Sequence, residues 1–262
     1  MCSMKNWVDS LDQSLISVVL PTYNRPAYLG KCLQHIQSNL SLHSRIQVIV
    51  VDDGSTGKNK ELNKHFFNAY SVDTEDSKLI YLDKNTGGVS LPRNIGISHI
   101  SGRSIAPTDD DCYPQPAKFS SLYKALWENP ETILSFGGRL EYFVKEDGSY
   151  VFRTYQKCEQ IVTNKTSVGL DNGQFLYKAD VYNHIDPVIS INACDYHLYS
   201  SFAPYGDFVF VDEPVCGYLW HGQNISLTQK PRRKDPTLLV NDYINYFKDG
   251  PFKDKVKRKY CL

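Results

Sequence analysis

The chain has 262 residues, 41% of them apolar and 22% charged, which is enough to bury one large core. Its 29 basic residues balance its 29 acidic ones, and a formal charge of zero argues against a general nucleic-acid or polyanion binder. No run approaches the roughly 20 apolar residues that span a bilayer, no apolar leader opens the chain, and seven scattered cysteines without a CxxC pair fit a reduced, cytoplasmic setting.

In chain order, Ile16, Val18, Val19 and Leu20 form a β-branched run stopped by Pro21, which predicts a buried strand over 16–20. Pro26 then sits where a first-turn proline belongs, and Leu29, Cys32, Leu33 and Ile36 follow at i, i+3, i+4, i+7 spacing. This strand, loop, helix unit recurs. Residues 47–51 run into Asp52-Asp53-Gly54-Ser55 and a helix carrying Leu62, Phe66 and Ala69. Residues 78–82 run into Asn85-Thr86-Gly87-Gly88 and a helix from Pro92 with Ile95 and Ile100. A fourth strand over 104–107 ends at Asp109-Asp110-Asp111, and Phe119, Leu122, Tyr123 and Leu126 mark the helix behind it. Strands and helices alternating at this spacing imply a parallel sheet wrapped by helices. In such sheets ligands bind at the carboxyl ends of the strands, where all these loops lie, so the loops should converge.

From Ile133 the pattern changes to strands over 133–140 and 173–177, a hairpin around Asp147-Gly148, a helix over 194–202 and a strand over 208–211. The expectation is an α/β fold with a mixed-sheet second half, one domain over 1–228 and a basic, helix-prone extension over 229–262. The most telling feature is the aspartate triplet. Three adjacent carboxylates repel one another, so a run of them at the mouth of a strand calls for a compensating hard cation.

Six pieces, in order, resemble the inverting family-two glycosyltransferases, whose nucleotide-binding fold is called GT-A. They are Val18-Val19-Leu20-Pro21-Thr22-Tyr23-Asn24-Arg25, Val50-Val51-Asp52-Asp53-Gly54-Ser55, Asn85-Thr86-Gly87-Gly88 with Pro92-Arg93-Asn94-Ile95-Gly96-Ile97, the aspartate triplet, Asp195, and Trp220-His221-Gly222-Gln223-Asn224-Ile225-Ser226. The resemblance implies a Rossmann-like, mostly parallel sheet flanked by helices. It also implies metal-dependent transfer of a sugar from a nucleoside-diphosphate sugar, UDP-linked, to an acceptor hydroxyl.

By the same resemblance, Thr22 and Tyr23 lie against base and ribose, with Asn24 and Arg25 beside them. Asp52 meets the imide N–H of a uracil-type ring, a task suited to a carboxylate because it only accepts hydrogen bonds. Asp53 and Arg93 join the nucleotide contacts with Asp110 secondary among them, Asp109 approaches the ribose or the metal's waters, and Asp111, Asp109 and His221 hold the metal. A nitrogen ligand favours Mn²⁺ over Mg²⁺. Asp195 falls where the family has its catalytic base, yet the residue before it is Cys194 rather than the usual acid. That departure sets up a second reading, a silent GT-A module that binds sugar nucleotide or glycan without turnover. The implied partners are the donor and a glycan, lipid-linked or other hydroxyl acceptor. Arg232 to Lys234 and Lys253 to Lys259 suggest peripheral membrane contact by a cytoplasmic protein.

Overall fold

A computed structural model of the chain describes residues 3–41, 45–70, 76–159, 170–187, 194–222, 224 and 236–262, apart from the side chains of 194–196, 236, 238 and 239. After a short helix α1 (Met4–Asp9), strands β1 (Asp12–Thr22), β2 (Ile46–Asp52), β3 (Lys78–Tyr81) and β4 (Gly102–Pro107) form a parallel block in the order β3-β2-β1-β4. Helices α2 (Pro26–Ser38), α3 (Gly57–Tyr70) and α4 (Ser90–Ile97) make the crossovers. Burial is continuous from Leu15 to Thr22 of β1, with Ser17 among the apolar residues, because both faces of the strand are covered. Val19 belongs to one core cluster with Ile49, Val51 and Ile95 of α4, whereas Val18 and Leu20 belong to another with Leu29 and Leu33 of α2. Thr22 pairs with Asp52, and Asp52 with Tyr81, so these strands end on one edge.

Helix α3 meets expectation in part. Phe66 packs against the core cluster and Leu62 is half-buried, but the buried residues are Asn63 and Phe67, and Ala69 is exposed. A polar side chain thus shares the inward face, where Asn63 Nδ2 donates to Asp52 Oδ2 at 2.8 Å.

The second half is mixed, as expected. Strand β5 (Cys112–Pro114) leads into helix α5 (Ala117–Glu128), followed by β6 (Thr132–Val144), β7 (Tyr150–Gln156), β8 (Phe175–Lys178), helix α6 (Cys194–Phe202) and β9 (Asp207–Trp220). The block continues β4-β8-β6-β9-β5, with β7 bonded to the far end of β6. Strand β8 runs antiparallel to β4 and β6, and β6 runs parallel to β9 through Phe143 and Trp220. The ends of β4, β6 and β9 therefore point the same way. The register slips at Gly137-Gly138, where a Cβ on Gly137 would come within 2.5 Å of Val215 Cγ1. Only glycine allows the strands to approach this closely.

Two last helices, α7 (Pro236–Tyr243) and α8 (Pro251–Lys259), and the segment between them put Val240, Tyr243, Phe247, Phe252 and Val256 into the cluster that contains Val19. The expected boundary near 228 lies outside the described residues. Among the described residues no helix is long and apolar enough to cross a membrane.

Candidate nucleotide and cation site

Three loops at the strand ends are knit into one network. Asn24 adopts φ +52, a left-handed conformation that asparagine tolerates well. Its Oδ1 accepts from Thr56 N at 3.1 Å, while its own backbone N–H donates to Ser55 Oγ at 2.7 Å. Asp52 is fully buried, and its two oxygens accept from Ser55 N at 2.7 Å and Asn63 Nδ2 at 2.8 Å. Asp53 accepts from Thr86 N, Thr86 Oγ1 and Asn85 Nδ2 at 2.9, 3.0 and 2.9 Å. Gly54 sits at φ +81, where a Cβ would lie 2.4 Å from the Lys84 carbonyl carbon. Of the residues expected to meet a base, Asp52 and Asp53 thus spend their carboxylates on shaping the loops, and Tyr23 stands 42% exposed at the same edge.

The aspartate triplet lies beside this network and meets it through two arginines and a threonine. Arg93 Nη2 reaches Asp109 Oδ1 at 2.5 Å. Thr22 Oγ1 donates to Asp110 Oδ2 at 2.7 Å, and Arg25 Nη2 pairs with Asp110 Oδ1 at 2.5 Å. Beneath the triplet, the fully buried Lys118 donates to Pro107 O and Thr108 Oγ1, clamping the chain just before it turns. Asp110 has no surface exposure, and burial, helped by repulsion from Asp111 and Asp109 and opposed by Arg25, pushes its carboxyl up to about 7.

From the far side of the fold, β9 delivers His221. Its Nε2 lies 3.1 Å from Asp111 Oδ2, and Arg25 Nη1 lies 3.0 Å from that oxygen and 3.3 Å from that nitrogen. Burial opposes ionisation of Asp111, but the contacts with His221 and Arg25 outweigh it and hold the carboxyl below its ordinary value. Burial likewise lowers Arg25's proton affinity, and the three aspartates more than restore it. Sequence reasoning gave no role to two residues that complete the corner. Asn224 donates Nδ2 to Leu219 O at 2.8 Å and to Asp111 Oδ2 at 3.3 Å, and its Oδ1 accepts from His221 N. Tyr28 lies against the His221 ring with centroids 4.6 Å apart.

These residues suit a divalent cation. Two cis ligands at about 2.1 Å in an octahedron stand about 3.0 Å apart, close to the 3.1 Å between Asp111 Oδ2 and His221 Nε2. Among the described residues no third His, Cys, Asp or Glu joins them, and Asp109 is taken by Arg93. A cation here would keep most of its positions open for phosphate oxygens. Thr22, Arg25, Arg93, the triplet and His221 are therefore brought together. Asp195 occupies the second position of α6, with its side chain outside the described residues.

A family model described as glycosyl transferase family 2 matches residues 17–186, well over half of the chain. The chain belongs to that family. It is 30% identical over 137 residues to glycosyltransferase GlyA and 31% identical over 139 residues to glycosyltransferase GlyG, both of Streptococcus pneumoniae. Those stretches cover 52% and 53% of this chain but 18% and 43% of the relatives, so the chain spans well under two thirds of either. Among solved structures, S. aureus TarS residues 1–349 in complex with UDP-GlcNAc superposes with TM-score 0.61 at 17% identity, over 94% of this chain and 71% of that one. The complex of the same fragment with UDP gives 0.57 at 16% identity, over 94% and 70%. At such identity the likeness concerns the fold, which is GT-A.

Proposed function

We propose that this chain transfers a sugar from a UDP-sugar to an acceptor hydroxyl with inversion at the anomeric carbon, using a divalent cation, Mn²⁺ or Mg²⁺. The observation that carries the reading is the pair Asp111 Oδ2 and His221 Nε2, 3.1 Å apart beside a hydrogen-bonded nucleotide cradle at the strand ends. The names of the relatives and the UDP and UDP-GlcNAc held by the TarS fragment support the donor class.

In this reading Tyr23 and the loop tied down by Asn24, Asp52 and Asp53 receive the base and ribose, with Asp109 oriented by Arg93 at the ribose side. Asp111 and His221 would hold the cation, which when bound neutralises charge on the departing diphosphate. Asp195 removes the acceptor proton as the acceptor oxygen attacks the anomeric carbon from the face opposite the diphosphate. A positioned base of this kind contributes about 10²- to 10⁴-fold. The acceptor is a glycan, a lipid-linked molecule or another hydroxyl compound. Lys257, Arg258 and Lys259, in the last turn of α8, would favour an anionic membrane surface at the cytoplasmic face.

Release of UDP from a panel of UDP-sugars, with Mn²⁺, Mg²⁺ or EDTA, tests the donor and the cation, and NMR of the product reads the anomeric configuration. Retained configuration would remove the displacement, and full turnover in EDTA would remove the cation. Cys194 at the position of the family's acidic residue favours the second reading, a binding module without turnover. Tight UDP-sugar binding with no UDP release by the unaltered chain would establish that reading instead.

A further inference from the structure

We propose that Arg25 is a built-in stopper for the cation seat, so that a divalent metal and the Arg25 side chain exclude each other and the seat opens to metal chiefly when a diphosphate arrives. The inference deepens the proposed function and rests on its assignment of Asp111 and His221. Oδ2 of Asp111 and Nε2 of His221 face one another at 3.1 Å, and Arg25 Nη1 stands 3.0 and 3.3 Å from them. Two lone pairs at that distance repel unless a proton or cation lies between them. In either tautomer Arg25 Nη1 donates to Asp111 Oδ2 and uses an electron pair a metal would use, and with Nε2 unprotonated it donates to His221 as well.

The rest of the fork is equally engaged, with Nη2 at 2.5 Å from Asp110 Oδ1. The guanidinium thus lies across two adjacent carboxylates and closes the corner from one side. Its backbone is anchored as the first cap of α2, with Tyr28 N and Leu29 N both donating to Arg25 O at 3.1 Å. The side chain retains 19% exposure, so it can leave by rotating outward without moving the helix. A diphosphate supplies what draws it out, because its oxygens match the planar fork that Asp110 and Asp111 now occupy. A free metal ion offers Arg25 no new partner and must displace it unaided.

A seat open in about 1–10% of molecules lowers apparent metal affinity about 10- to 100-fold. Electron paramagnetic resonance of free Mn²⁺, titrated against the whole chain with and without UDP, reads this without any turnover. Arg25→Met is expected to bind Mn²⁺ at least about tenfold more tightly than the unaltered chain when UDP is absent, and to lose most of the gain that UDP confers. Arg93→Met removes the same charge from beside Asp109 but leaves the seat covered, so it separates exclusion from simple electrostatics. Equal gains in the two variants, or none in Arg25→Met, would overturn the stopper. Should Arg25→Met fail to fold, Arg25→Lys carries the test. A single ammonium cannot cover the seat and span both aspartates, so tighter Mn²⁺ uptake than in the unaltered chain supports the proposal and unchanged uptake overturns it. If no variant takes up Mn²⁺ even with UDP, the cation reading itself falls, and the stopper falls with it.

Discussion

Two clusters of arginines and carboxylates lie within this sheet, and their difference shows which one is built for a ligand. In the second half, Glu141 is fully buried and accepts from Arg139 Nε at 2.9 Å, Arg153 Nη1 at 3.1 Å and Trp220 Nε1 at 3.0 Å, while Arg139 also pairs with Asp171. Two acids meet two arginines there, and the charges cancel. At the strand ends, Asp109, Asp110 and Asp111 pair with Arg25 and Arg93, three acids beside two arginines, and Asp111 also meets the His221 ring. The first balance is closed and holds β6, β7 and β9 in register. The second holds more carboxylates than arginines, and burial with repulsion from its neighbours keeps Asp110 hard to ionise.

The largest effects should therefore fall at the strand ends and on chemistry rather than folding. Asp195→Asn should cut UDP release about 10²- to 10⁴-fold with melting temperature little changed, and Asp111→Asn should cut it about 10²- to 10³-fold. Because Asp111 is held ionised by Arg25 and His221, its loss should also lower the melting temperature, and turnover that falls no further than stability would erase the contrast. The balanced cluster should respond in the opposite way. Glu141→Leu leaves Arg139 with Asp171 alone and takes the acceptor from Trp220 Nε1, and is expected to cost about 1–3 kcal/mol in denaturant unfolding. Asn63→Ala leaves one Asp52 oxygen buried without its donor and should cost about 1–3 kcal/mol, together with a weaker response to UDP in thermal shift. The smallest effect concerns pH. Burial holds the His99 imidazole below its ordinary 6.5, so the unfolded chain takes up that proton first as pH falls. Its contribution is intact above about pH 6.5 and drains away below it. Comparing melting temperatures at pH 7 and 5 should show a shallower slope in His99→Gln.

The strand-end loops were legible because their signals are local: a β-branched run, a proline stop, then Asn, Asp and Gly where the backbone must turn. The triplet was legible for the same reason. What completed the corner was not local. Asn224 meets Asp111 across 113 positions and Arg25 meets His221 across 196, distances over which no periodicity carries information. Lys118 reads as one more solvated helix residue until β4 places a carbonyl above it. Strand β5 has three residues and exists because β9 pairs with it, so no alternation could announce it. On α3 the apolar spacing found Phe66 but not Asn63, because a buried asparagine that serves Asp52 carries no hydrophobic signal. Glu141 gave no signal at all, since a charged residue in a strand normally faces water.

Tyr243 Oη donates to Lys84 O and Tyr246 Oη accepts from Asp83 N, across 159 and 163 positions respectively. The turn they hold leads directly into Asn85 and Thr86, which grip Asp53. At about 5–20 residues per second of synthesis, that turn emerges from the ribosome long before its props exist. The third strand-end loop is thus among the last to be secured, and a nascent chain halted before residue 243 would carry Asn85 and Thr86 without the two tyrosines that hold the turn before them.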